Sequence, residues 1–194
     1  MKKRGQKKQE NIWNIPNSLT FLRVIITFAT LYLIFAQYNL TLIAILFAIG
    51  MITDFLDGQI ARRFNMETEF GRQFDIIADR FLMLGVTGAL IIDFAVQGSL
   101  SRGHLLQIFF TLSREIIAFP IALLTIVYKQ AIPHVRFIGK FTTFMQGVTL
   151  PAILLSIEFP FFAFSQYLAI ATGIVGAASA GYYVNDYWRL VNKK

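Results

Sequence analysis

Between Asp54 and Asp79 the chain reads DFLDGQIARRFNMETEFGRQFDIIAD, a stretch holding four aspartates in two pairs. Asp54 and Asp57 are three residues apart, and Asp75 and Asp79 are four apart. On a helix both spacings put the two carboxylates of a pair on one face. Apolar runs flank the stretch, TLIAILFAIGMIT before it and RFLMLGVTGALII after it. A carboxylate at the centre of a bilayer costs roughly 2.5–3.5 kcal/mol, so such groups need partners. A carboxylate cluster with few nearby bases is most simply matched by divalent cations.

Working outward, the composition fits a membrane protein. Of 194 residues 56% are hydrophobic, and the mean hydropathy of +0.58 is too high for a soluble domain. There is no cysteine, which excludes disulfides and thiolate chemistry. No small-residue cleavage site follows the first apolar segment, so no cleavable signal peptide is expected. The pattern predicts six spans, at about Leu19–Gln37, Leu40–Ala61, Phe74–Ala95, Leu105–Tyr128, Ile138–Ile157 and Phe162–Trp188. Each is close to the ~20 residues that cross the hydrocarbon. Pro16 marks the first helix start, Trp13 belongs at headgroup level, and RRFNMETEFGRQ reads as a loop. No strand pattern competes.

Charge sets the sidedness. Residues 1–12 form a basic tail, and of 18 Lys and Arg only Arg102 falls clearly on the side opposite the termini. The positive-inside rule then places both termini in the cytoplasm. The expectation is an all-α integral membrane protein with six transmembrane helices and one domain over 1–194. Antiparallel second and third spans would bring the two aspartate pairs face to face near the cytoplasmic surface.

Around the aspartates, Gly58 and Ala61 either admit a ligand close to the backbone or serve small-residue helix packing. Arg62 stands on a compatible face, as a fork for a phosphate or as a snorkelling side chain. Asn17, Thr20 and Thr68 suit capping or turn roles as well as ligand contact. His104 and His134 carry no expected role, and Asp93, Glu158 and Asp186 read as solvated or interfacial.

The pattern Asp54-x-x-Asp57-Gly58-x-x-Ala61-Arg62, then eight residues, then Gly71-x-x-x-Asp75-x-x-x-Asp79, resembles the signature of the CDP-alcohol phosphotransferase family. The resemblance implies a phosphatidyl transfer from a CDP-linked lipid to an alcohol, with CMP leaving, as in phospholipid biosynthesis. It implies that Asp54, Asp57, Asp75 and Asp79 hold one or two ions, Mg²⁺ or Mn²⁺, and that Asp79 also serves as the base. Gly58, Ala61, Arg62, Thr68, Gly71, Asn17 and Thr20 would lie against the CDP-lipid. Two metals roughly 3.5–4 Å apart are a known solution for neutralising a phosphoryl displacement. No activated nucleophile stands out, which favours direct attack by the alcohol.

Further pieces together resemble the branch of the family whose acceptor is sn-glycerol 3-phosphate: Pro16-Asn17-x-Leu19-Thr20-x-x-x-Arg23, Thr68-x-Phe70-Gly71, Ser113-Arg114-Glu115-Ile116-Ile117 and Gly139-Lys140-x-Thr142-Thr143-x-x-Gln146. Arg114, Lys140 and Arg23 are then the expected cations for the acceptor phosphate, Arg114 with an internal ion pair, to Glu115 or one of the aspartates, as its alternative. The chain departs from the common family pattern at Ile76 and Arg80, where proline and lysine are usual. Cardiolipin-forming and inositol-phosphate-using members share the fold and chemistry, and a cation transporter is the rival from another class. The resemblance also implies a homodimer in membrane lipid and no nucleic-acid partner.

Overall fold

The computed structural model describes residues 14–64, 66, 68–97, 101–127 and 137–191, and these are helical almost throughout with no strand among them. In order come α1 (Ile15–Phe35), α2 (Leu40–Arg63), α3 (Glu69–Arg80), a π turn (Phe81–Gly85), α4 (Val86–Gln97), α5 (Arg102–Val127), α6 (Phe137–Glu158), a 3₁₀ turn (Pro160–Phe164) and α7 (Ser165–Val191). The basic tail and most of the link between α5 and α6 lie outside the described residues.

Five helical stretches are long and apolar enough to cross a membrane: Ile15–Phe35, Leu40–Ala61, Arg102–Ile121, Phe137–Glu158 and Pro160–Arg189. The chain is a multi-pass membrane protein. The third expected span begins earlier than its hydropathy suggests. Glu69–Gln73, read above as loop, is the first part of α3, because Thr68 caps it by accepting from the Gly71 amide at 2.9 Å. From there α3, the π turn and α4 follow without a break.

α1 is an inside-out helix. Its buried positions are Pro16, Asn17, Thr20, Arg23, Thr27, Thr30 and Ile34, a three-and-four spacing that is mostly polar. Phe21, Leu22, Ile25, Phe28, Tyr32 and Phe35 point outward. In water that arrangement would not fold; in lipid it is the stable one, since backbone and polar side chains must find partners inside the protein. The threonines along the stripe partly satisfy themselves: Thr27 donates to the Arg23 carbonyl at 2.8 Å and Thr30 to that of Ile26 at 2.8 Å.

α1 packs on α2, and α5 and α6 both pack on α7, with α2 against α6 closing the bundle. The apolar core joins Ile34, Ile43 and Phe47 of α1 and α2 to Leu82, Val86 and Leu90 around the π turn, and to Ile108, Leu150 and Ile153. It occupies the half of the bundle away from the aspartates. Tilted ring pairs tie α1 to the third stretch, Phe21 to Phe74 with centroids 4.7 Å apart and Phe28 to Phe81 at 5.3 Å.

A candidate transfer centre at the polar end of the bundle

The site is assembled at the joint of α1, α2 and α3. Asn14 caps α1 by accepting from the Asn17 amide at 2.9 Å, and its Nδ2 donates to the Met66 carbonyl at 3.1 Å. This ties the start of α1 to the chain just after α2. The Asn17 amide group donates to Thr68 Oγ1 at 3.5 Å. Gly71 is required where α3 meets α1: a Cβ there would stand 2.2 Å from Asn17 Oδ1 and 2.8 Å from Thr68 Oγ1.

The last turns of α2 and the body of α3 present the four aspartates to one point. Carboxylate oxygens of Asp54, Asp57 and Asp75 lie within 4.8 Å of one another, a spacing that suits a shared cation. Asp57 is nearly enclosed, its side chain 4% exposed, whereas Asp75 is 39% exposed and opens the cluster outward. Thr20 Oγ1 lies 3.2 Å from both Asp57 Oδ2 and the Pro16 carbonyl, and its single proton serves one of them at a time.

Arg23 sits in the middle. Its Nη2 is 3.3 Å from Asp54 and in contact with Asp57, while its Nη1 is 2.8 Å from Asp75 and 3.0 Å from Asp79. The sequence reading placed Arg23 among the cations for an acceptor phosphate. The structure turns it instead onto the aspartates, because one buried guanidinium surrounded by four carboxylates is drawn to them first.

The other expected cations separate. Arg114 is buried, and its Nη1 donates to Glu115 Oε1 at 3.0 Å and Thr143 Oγ1 at 2.8 Å, so the internal ion pair is present. Glu115 is fully buried and also pairs with Arg80 Nη1 at 2.8 Å. Arg80 directly follows Asp79, so this chain of ion pairs connects the end of α3 to α5 and, through Thr143, to α6. Lys140 is exposed at the start of α6. Gly58 and Ala61 are half-buried on α2 one to two turns past Asp54, and the side chain of Arg62 lies outside the described residues. The sequence reading offered Glu115 only as a possible partner of Arg114 and gave Arg80 no part in this network; a glutamate inside a span beside an arginine was the available signal.

A model of the CDP-alcohol phosphatidyltransferase family matches residues 13–178. The chain belongs to that family. Among its relatives, the CDP-diacylglycerol–glycerol-3-phosphate 3-phosphatidyltransferase of Rickettsia typhi is 33% identical over 144 residues, 73% of this chain and 76% of that one. The enzyme of the same name from Bacillus subtilis is 26% identical over 197 residues, covering 91% and 96%. A probable cardiolipin synthase (CMP-forming) of Drosophila melanogaster is 42% identical over 89 residues, 45% of this chain and 26% of that protein. The family's reaction type, a phosphatidyl transfer, agrees with a site rich in hard oxygen donors.

Proposed function

We propose that this protein transfers the phosphatidyl group of CDP-diacylglycerol to sn-glycerol 3-phosphate, giving phosphatidylglycerophosphate and CMP. The observation that carries the reading is the convergence of Asp54, Asp57 and Asp75 on one point at the end of α2 and within α3. Relatives named for this activity, matched over most of their length, support the acceptor.

Asp54, Asp57, Asp75 and Asp79 are the residues that would hold one or two Mg²⁺ or Mn²⁺ ions, since an all-carboxylate set suits hard cations. Bound there, such ions would neutralise charge on the transferring and departing phosphate oxygens. Asp79 accepts the proton of the attacking hydroxyl. The freed oxygen forms a bond to the phosphorus that carries the diacylglycerol, and the bond from that phosphorus to CMP breaks, CMP taking the electron pair. Gly58 and Ala61 leave backbone open toward the nucleotide, with Asn17, Thr20, Arg62 and Thr68 beside it, and Gly71 lets α3 close on Asn17 and Thr68 at its edge. Arg114 and Lys140 provide the positive end of the pocket for the acceptor phosphate, Arg114 held ready by Glu115 and Thr143.

The third stretch, Glu69–Gln97, crosses the membrane as a sixth span, and the aspartates face the cytoplasm. A homodimer is the expected assembly. The test is CMP release from CDP-diacylglycerol by the purified protein with a chelator or Mg²⁺, across glycerol 3-phosphate, phosphatidylglycerol, inositol 1-phosphate and serine. Turnover only with metal and glycerol 3-phosphate is expected. Preference for phosphatidylglycerol would favour the cardiolipin-forming alternative that the Drosophila relative keeps open.

A further inference from the structure

Arg23 is fully buried, and its guanidinium divides its work by helix: Nη2 takes the α2 pair, Asp54 and Asp57, and Nη1 takes the α3 pair, Asp75 and Asp79. Its Nε is buried with no hydrogen-bond partner among the described residues, so the hold on the carboxylates rests on the two Nη groups alone. A planar fork can bridge two pairs in this way; a point ammonium cannot. Asp54, Asp57 and Asp75, whose oxygens are spaced for a cation, are all among the residues that Arg23 holds. Any ion placed there lies beside a guanidinium of like charge and draws on the same three carboxylates.

We propose that Arg23 is a positioning residue of the transfer centre: it sets the spacing of the two aspartate pairs and, by sharing their carboxylates with divalent ions, sets how tightly those ions are held. The inference rests on the metal reading above. One positive charge among four negative ones leaves the cluster anionic, so ions still enter. The guanidinium lowers their affinity, because a bound ion can gather carboxylates by itself while nothing offsets its repulsion from Arg23. Weak binding keeps the ions exchangeable, and the fork keeps four repelling carboxylates in register.

The experiment is Mn²⁺ titration of the purified protein, read by electron paramagnetic resonance, with melting measured in EDTA and in Mn²⁺. Arg23→Gln is expected to bind Mn²⁺ at least tenfold more tightly than the parent. In EDTA it should melt about 5 °C or more below the parent, a gap that Mn²⁺ closes. Arg23→Lys, which keeps the charge and loses the fork, should bind Mn²⁺ about as the parent does and melt in EDTA between the two. Unchanged or weaker Mn²⁺ binding by Arg23→Gln would overturn the proposal. If the glutamine variant does not fold, the lysine variant decides: melting in EDTA at the parent's temperature would show that the fork is not needed. A parent protein that binds no Mn²⁺ sinks the metal reading itself, a result distinct from binding that Arg23 does not influence.

Discussion

Asp79, half-buried, and Glu115, fully buried, are both carboxylates held by arginines, yet they should fail differently when changed. Asp79→Asn keeps the shape and can still accept a hydrogen bond from Arg23, but the amide cannot take a proton from an attacking alcohol. The expected result is a loss of turnover of at least about 100-fold with little change in melting temperature, measured by CMP release and by thermal melting in detergent. Glu115 instead is the carboxylate shared by two cations, the half-buried Arg80 and the buried Arg114. Glu115→Ala takes away the carboxylate that both share, and removing one partner from a buried ion cluster costs about 3–5 kcal/mol. A clear drop in melting temperature is expected before any assay of activity. The aspartates were legible because their spacing and apolar flanks declare them. The role of Arg23 was harder to see, since its partners lie more than thirty residues away on other helices. The Arg114–Glu115 pair was named only as an alternative, because adjacent residues on a helix do not share a face and only a long, bendable side chain lets them meet.

The helices themselves were readable from hydropathy, and where the reading slipped the cause is local. EFGRQ is polar and contains glycine, which suggests a loop; the Thr68 cap and the contact of Gly71 with α1 make it helix instead. The π turn at Phe81–Gly85 has no proline to announce it. Two substitutions test this level. Gly71→Ala places a methyl group 2.2 Å from the Asn17 side-chain oxygen. Prising α1 from α3 in this way should cost about 1–3 kcal/mol and reduce activity, because Arg23 reaches the aspartates from α1. The turn between α1 and α2 holds Gln37 at φ 53°, a left-handed conformation that glycine adopts without strain. The Tyr38 amide closes this turn on the Leu33 carbonyl at 2.9 Å. Gln37→Gly should therefore be neutral or stabilise by up to about 1 kcal/mol, with melting in detergent as the measurement. A destabilised variant would mean that the Gln37 side chain contributes more than the strain removes.

For the whole molecule the open quantity is how many times the chain crosses the bilayer and which way it faces. Packing already orders the ends. Thr41 at the start of α2 donates to Glu158 at the end of α6, 3.0 Å away, so these lie at one end of the bundle. Asn14 and Met66 meet at the other end, with the aspartates. Among the described residues hydropathy gives five clear spans and leaves out Glu69–Gln97, because α3 carries Asp75 and Asp79, which the site requires, together with Glu69, Arg72 and Arg80, and a bare apolar count rejects so many charges. The absence of native cysteine makes the issue directly measurable. Single cysteines at Tyr38, Ser101 and Phe159 should react with a membrane-impermeant maleimide added outside intact cells. Cysteines at Phe64 and Arg189 should react only after the membrane is opened. All five positions are exposed, so burial does not decide the outcome. If Glu69–Gln97 stays on one side, Ser101 will label with Phe64 rather than with Tyr38. The aspartates would still converge, but the positive-inside argument would lose its alternation after α2, and with it the assignment of a cytoplasmic transfer centre.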